Sequence, residues 1–192
     1  VAALVAACCA SPVCLTAGEL STAGAQLWTQ NTSGMSDVAE AGDSLGRALA
    51  CGDFNGDGYE DLAIAAPWED FGSTDVAGCV HIIFGGPSGL TTTTQFWHQD
   101  AGLADTREDY DTFGAALAAG DFDNDGYDDL AIGIPEEDIG AIADAGAVNI
   151  LYGSSVGLTS LANQFMDQSN GLILDLAETD DNYGASLAAG DF

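Results

Sequence analysis

Short apolar runs separated by polar, glycine-rich segments fill the chain, and they recur. Leu62-Ala63-Ile64-Ala65-Ala66 stops at Pro67, and Leu130-Ala131-Ile132-Gly133-Ile134 stops at Pro135. Apolar runs this short, closed by proline, read as buried strands rather than core helices. Residues 78–84 (GCVHIIF) and 146–152 (GAVNILY) form a second strand-like pair. A third pattern is rich in small residues. It spans 45–52, 113–120 and 183–190, and its Gly46, Ala48 and Ala50 suit a crowded axis. The fourth is Gln26-Leu27-Trp28-Thr29-Gln30, which returns as Gln95-Phe96-Trp97-His98-Gln99 and as Gln164-Phe165-Met166-Asp167-Gln168, each shifted by 69 residues. Gly85-Gly86-Pro87-Ser88-Gly89 is a turn by composition. Four strands per unit, joined in sequence, predict an all-β chain of four-stranded antiparallel sheets. Trp28, Trp97 and Met166 are expected to pack between neighbouring sheets.

Between the first and second strand of each unit lies the most ordered motif. Residues 52–67, GDFNGDGYEDLAIAAP, return as 120–135, GDFDNDGYDDLAIGIP, and begin again as Gly190-Asp191-Phe192. Asp53 and Asp121 are 68 residues apart, and Asp121 and Asp191 are 70 apart. A fixed period with the same loop in every copy marks a repeat architecture.

The loop chemistry suits a hard cation. Asp53, Asn55, Asp57 and Asp61 place side-chain oxygens at positions 1, 3, 5 and 9 of the motif, and Tyr59 can offer its backbone carbonyl at position 7. Gly58 permits the turn that points them inward. The second copy offers Asp121, Asp123, Asp125, Tyr127 and Asp129 around Gly126. Alternating oxygen donors about a glycine fit Ca2+, which takes six to eight oxygens. An EF-hand would need a carboxylate at position 12 and a helix after it. Here position 12 is Ile64 or Ile132, inside an apolar run. The same point argues against a dockerin-like module. Four acidic ligands in the second loop, against three and an asparagine in the first, predict tighter binding at the second.

These residues carry a resemblance to the FG-GAP repeat, the unit of the integrin alpha-subunit β-propeller. The Phe-Gly element is Phe113-Gly114, with Leu45-Gly46 and Tyr183-Gly184 as its equivalents; the Gly-Ala-Pro position is Gly133-Ile134-Pro135, with Ala65-Ala66-Pro67 before it. The match covers roughly residues 20–192. The resemblance implies a β-propeller of four-stranded antiparallel blades, with about two and a half blades present, an incomplete propeller. Residues 18–192 form this part: 18–44 an outer strand of a preceding or closing blade with its inter-blade loop, 45–112 a blade, 113–182 a blade, and 183–192 the start of a truncated one. The missing blades imply a fragment with an exposed edge at the last strand. In such a meander the calcium loops share one end with turns like 85–89. Loops 68–77 and 139–145 and the inter-blade loops 31–44, 100–112 and 169–182 occupy the other end. That second face is the expected place for a protein or glycan partner, as in integrin alpha subunits.

Residues 1–17, VAALVAACCASPVCLTA, break the pattern. They are too short to span a bilayer and read as the apolar remnant of an export signal. Val5-Ala6-Ala7-Cys8 also resembles a bacterial lipobox, which would anchor the chain at Cys8. The rival reading is the tail of an earlier blade, with Val13-Cys14-Leu15 as a strand.

Composition narrows the function. There are 31 acidic residues and 2 basic ones, Arg47 and Arg107, for a formal charge of −29. No cationic surface exists to track phosphates, which excludes a nucleic-acid binder and argues against anionic membranes. Cys51 and Cys79 lie on first and third strands, roughly 9–10 Å apart, too far for a disulfide, and are expected to be small buried fillers. His81 and His98 have no second histidine or cysteine at ligand spacing and are expected to be structural. Glu136-Glu137-Asp138 and Glu108-Asp109 read as solvated loop acids without a histidine or oxyanion device beside them. The chain is therefore expected to be no enzyme. It reads as a calcium-binding, secreted or cell-surface propeller for adhesion or protein interaction. The alternative is the non-catalytic propeller part of a larger secreted hydrolase, such as a phospholipase D-like enzyme.

Overall fold

The structure is a computed structural model. It describes residues 24–169, 173 and 175–190, together with the backbone of 3–5. The leader expected over 1–17, including Cys8, Cys9 and Cys14, lies outside the described residues apart from that short backbone segment. So do Asp191 and Phe192 of the third loop.

Among the described residues, ten strands form three sheets. β1 (Ala3–Val5) pairs antiparallel with β2 (Gln26–Trp28). The second sheet runs β3 (Leu49–Gly52), β4 (Asp61–Ala66), β5 (Cys79–Ile83) and β6 (Thr94–Trp97) in sequence order. The third runs β7 (Ala116–Gly120), β8 (Asp129–Ile134), β9 (Ala147–Tyr152) and β10 (Thr159–Met166). All ladders are antiparallel. No helix is present among the described residues. These are the two four-stranded sheets the repeat pattern predicts, laid out as blades of an incomplete propeller.

The first strands are shorter than expected, since the ladders begin at Leu49 and Ala116 rather than at 45 and 113. Positive φ at Ser44 and Gly46, and at Thr112 and Gly114, bends the chain out of extended geometry just before them. Residues 183–190 form no ladder. Tyr183 makes a single bridge to Gly146.

Alternation in the central strands explains why they are apolar throughout. On β4, Leu62, Ile64 and Ala66 join one cluster with Trp28, Leu45, Cys79 and Ile83. Ala63 and Ala65 face the other way, into a cluster with Val80, Ile82 and Trp97 of their own blade and Phe113, Leu130, Ile132 and Ile134 of the next. Every residue of β4 and β8 is buried, because each blade is covered on both faces. Trp28 and Trp97 are buried in these inter-blade layers.

Two expectations about cysteine need correction. Cys51 is exposed, not a buried filler, whereas Cys79 is buried. Cys51 is opposite Leu62, which is opposite Ile83, four residues from Cys79 along β5. The two therefore sit at opposite ends of the blade. Four residues add about 13 Å along the strand to the two-strand separation, so a bridge between them is further from possible than strand count alone suggests.

The docking of blade on blade places one demand on a glycine. Gly78 has φ +83°, and a Cβ there would lie 2.4 Å from the Phe113 carbonyl oxygen and 2.7 Å from its nitrogen. Phe113, fully buried, is held there by its N–H donating to Ala77 O at 2.9 Å. Gly146 meets the backbone of Tyr183 in the same way. Substituting Gly78→Ala is expected to cost about 2–4 kcal/mol, through backbone strain and lost docking. Chemical denaturation of the variant beside the parent measures it, and a loss within about 0.5 kcal/mol would show that this contact does not join the blades.

Candidate metal centre

Each hairpin loop folds around its own carboxylates. In the first, Asp53 accepts the N–H of Asp57 on Oδ1 (3.0 Å) and of Gly58 on Oδ2 (2.9 Å). Asn55 Oδ1 also accepts from Asp57 N–H, and Asp57 Oδ1 from Tyr59 N–H. The second loop reproduces this. Asp125 N–H donates to Asp121 Oδ1 and Asp123 Oδ1, Gly126 N–H to Asp121 Oδ2, and Tyr127 N–H to Asp125 Oδ1. The glycines at position 6 have φ +87° and +95°, which the sharp turn requires. These are local side-chain-to-backbone bonds of the Asx type.

The ninth position is different in kind. Asp61 and Asp129 are buried. Asp61 accepts Phe54 N–H on Oδ2 (3.0 Å) and Gly85 N–H on Oδ1 (2.8 Å). Asp129 accepts Phe122 N–H and Gly153 N–H likewise, at 2.7 and 2.8 Å. One carboxylate thus ties the loop's start to the turn between the third and fourth strands, which places both at the same end of the blade. The loops also touch each other: Asp53 N–H donates to Asp128 Oδ2 at 2.8 Å, and Asp128 N–H to Asp53 O.

In the second loop, carboxylate oxygens of Asp121, Asp123 and Asp129 lie within 4.8 Å of one another. The first loop has Asn55 in place of Asp123, so one carboxylate fewer meets there. Three hard oxygen donors this close fit Ca2+. Burial pushes the Asp61 carboxyl up to about 6, against the pull of its two N–H donors, and the charges of Asp57 and Asp53 add to the rise. Burial likewise raises Asp129, with Asp123 contributing. Without a cation, these carboxylates repel one another in a partly dry site.

A second acidic layer occupies the opposite end of each blade, and sequence reasoning missed it. Gln30 Nε2 donates to Glu69 Oε2 and Gln99 Nε2 to Glu137 Oε2, both at 2.7 Å. All four residues are buried, as are Asp43 and Asp111. Glu137, expected to be a solvated loop acid, is only 1% exposed. Burial lifts its carboxyl to about 10, with Asp105 and Asp111 adding to the rise. Glu69 is lifted to about 9 by burial and by Asp37. The available signal was the register of the repeats: Gln30 and Gln99, and Glu69 and Glu137, recur at nearly the same shift as the loops.

The histidines also depart from expectation in one respect. His81 is not alone, because Cys79 Sγ lies 3.8 Å from its Nε2. His98 packs in an aromatic group with Phe71 and Phe96, at centroid distances of 5.0 and 5.5 Å, which accords with a structural role.

With this geometry described, comparison with known proteins is direct. Residues 45–83 and 113–151 match the FG-GAP repeat. The chain carries FG-GAP repeats. It is 33% identical over 148 residues to phosphatidylinositol-glycan-specific phospholipase D of Rattus norvegicus, covering 77% of this chain and 17% of that protein. It is 34% identical over 136 residues to integrin alpha-IIb of Homo sapiens, covering 64% of this chain and 12% of that one. Integrin alpha-3 of Mus musculus is 29% identical over 135 residues. The FG-GAP chain thus spans less than a fifth of the length of these relatives. It is an integrin-like propeller module, and the matched segments begin at Leu45 and Phe113, just ahead of the ladders that start at Leu49 and Ala116.

The raised acids make a pH prediction with a definite sign. A carboxyl whose folded pKa lies above its unfolded value stabilises the fold fully below about pH 4, and the effect is lost as pH rises through the folded pKa. Asp111 is raised to about 6, chiefly by burial, and Glu137 to about 10. In chelator, stability should fall from pH 4 towards neutrality. Glu137→Gln keeps an acceptor for Gln99 Nε2 and should make that fall shallower, by up to about 1.4 kcal/mol per pH unit. Urea titrations across pH check this, and an unchanged slope in the variant would refute it.

Proposed function

We propose that this chain is part of a calcium-stabilised, non-catalytic propeller module that serves adhesion or protein interaction at the cell surface or in secretion. The observation that carries the calcium assignment is the meeting of Asp121, Asp123 and Asp129 oxygens within 4.8 Å on a loop repeated in both blades. Asp53, Asn55, Asp57 and Asp61, with the Tyr59 carbonyl, would hold one ion. Asp121, Asp123, Asp125 and Asp129, with the Tyr127 carbonyl, would hold the other. The ion's role is structural: it neutralises clustered carboxylates and fixes the loop against the neighbouring turn.

The proposed partner face is the end away from these loops. Its loops are zipped across the blades, with Tyr110 N–H donating to Asp75 O and Thr112 N–H to Val76 O. Trp68 and Tyr110 are 46% and 55% exposed there. A cavity of about 240 Å³ opens between Arg47, Pro67, Trp68, Pro135 and Glu136. Aromatic side chains held on a rigid frame are the usual anchors of a protein interface.

A second reading is favoured by the 33% identity to a phospholipase D: the propeller would be the non-catalytic part of a larger secreted hydrolase. Both readings give these blades the same calcium chemistry, and they differ in what the rest of the protein does.

The test is a calcium titration of thermal unfolding with EDTA reversal. Calcium at a hundred times its dissociation constant should stabilise the fold by about 2.7 kcal/mol per site, and EDTA should remove the gain. Asp125→Ala should abolish the response of the second loop and leave a weaker one from the first. A folded chain whose midpoint ignores calcium would overturn the metal assignment.

A further inference from the structure

At the end of the first blade away from the hairpin loops, donors of a different chemistry converge. Cys79 and His81 are two residues apart on β5, so their side chains leave the same face of the sheet. Both are fully buried. The loop between β2 and β3 lays Asp37 against them, and one ligand atom from each of Asp37, Cys79 and His81 lies within 4.8 Å of the other two. Gln30 Nε2 joins this group to its neighbour, donating to Asp37 Oδ2 at 3.2 Å and to Glu69 Oε2 at 2.7 Å. The His81 ring is set by stacking on Phe96, with centroids 4.7 Å apart.

We propose that Asp37, Cys79 and His81 form a binding site for a divalent transition metal of the Zn2+ class. The donor set decides the class of ion. Sulfur and imidazole nitrogen are poor partners for Ca2+ and good ones for Zn2+, which commonly takes four ligands from cysteine, histidine and carboxylate. The site is therefore chemically distinct from the all-oxygen hairpin loops and does not depend on their occupancy. Burial of Cys79 and His81 makes it a closed, structural site rather than an open catalytic one. Binding would release the Cys79 thiol proton to solvent as the thiolate takes the metal. The ion would join two segments, namely β5 and the loop that leads in from the preceding strand.

The second blade makes the assignment sharper. It keeps the frame, with Gln99, Glu137 and Asp105 in the places of Gln30, Glu69 and Asp37. At the two decisive positions it has Ala147 and Asn149. Asn149 is fully buried and neither its Nδ2 nor its Oδ1 finds a partner. The position is polar in both blades, but only the first carries metal ligands. No charged side chain of the opposite sign offers an alternative. Arg47 is exposed, and Arg107 pairs with Asp100 at 2.9 Å while its guanidinium lies over Phe71.

Cobalt substitution tests this on the full chain. One equivalent of Co2+ should produce a thiolate-to-cobalt charge-transfer band and tetrahedral ligand-field bands, displaced by Zn2+ and unaffected by excess Ca2+. Cys79→Ala should lose the charge-transfer band, and His81→Asn should weaken cobalt binding by more than about tenfold. Both variants install the residue that the second blade already folds with, so circular dichroism should show them folded. Absence of the band in the parent chain overturns the proposal. So does a band that survives Cys79→Ala, which would assign the thiolate to another cysteine, or a His81→Asn variant that binds cobalt as tightly as the parent.

Discussion

One buried carboxylate per blade holds the repeat together. Asp61 and Asp129 stand at the first residue of the second strand, where the loop ends and the apolar run begins. Each takes one N–H from the loop's second residue and one from the turn that leads to the fourth strand. A carboxylate is the acceptor that can satisfy two buried amides at once with charge-assisted strength. A leucine there would orphan both N–H groups, and an asparagine would offer one acceptor oxygen in place of two. The hairpin loop, the turn and the strand register are therefore fixed by the same side chain. The cost is a partly desolvated negative charge beside others of its kind, and a hard cation in the loop is the natural compensation.

The same constraint repeats at the other end of the blades with different solutions. Glu69 and Glu137 are buried under the inter-blade loops, each capped by a glutamine from the preceding outer strand. In a chain with two arginines and no lysine, buried acids have few cationic side chains to pair with. They hold a proton, share one with a neighbouring carboxyl, or take a metal ion. Both ends of the blade thus tie packing to the ionic environment. The middle does not, since residues 62–66 of β4 and 130–134 of β8 are apolar and buried.

How far the sequence discloses this depends on the span of each interaction. The hairpin loops were legible because all their donors fall within nine residues and recur intact. The strand order was legible because the connections are short and sequential. The acidic layer was not, because Gln30 meets Glu69 across 39 residues, and only the docking of one blade on the next brings them together. Cys79, His81 and Asp37 were hidden for a similar reason. The cysteine and histidine share a strand face, but their third partner arrives on an inter-blade loop. Cys51 was misplaced because counting strands gives separation across a sheet and says nothing of position along it. The late start of the first strands came from positive φ at Ser44 and Gly46 and at Thr112 and Gly114, where the glycines read as small residues within the strand rather than as a bend.

The central claim is that the ninth-position aspartate couples its hairpin loop, the proposed calcium site, to the distant turn of its own blade. Amide hydrogen exchange with and without calcium, read residue by residue, tests it most directly. The account predicts that calcium slows exchange at Gly85 and Gly153, which donate to Asp61 and Asp129, as well as at Gly58 and Gly126 inside the loops. The amides of Tyr110 and Thr112, at the far end of the blades, should keep their rates. Protection confined to the loop glycines, with Gly85 and Gly153 unchanged, would contradict the coupling.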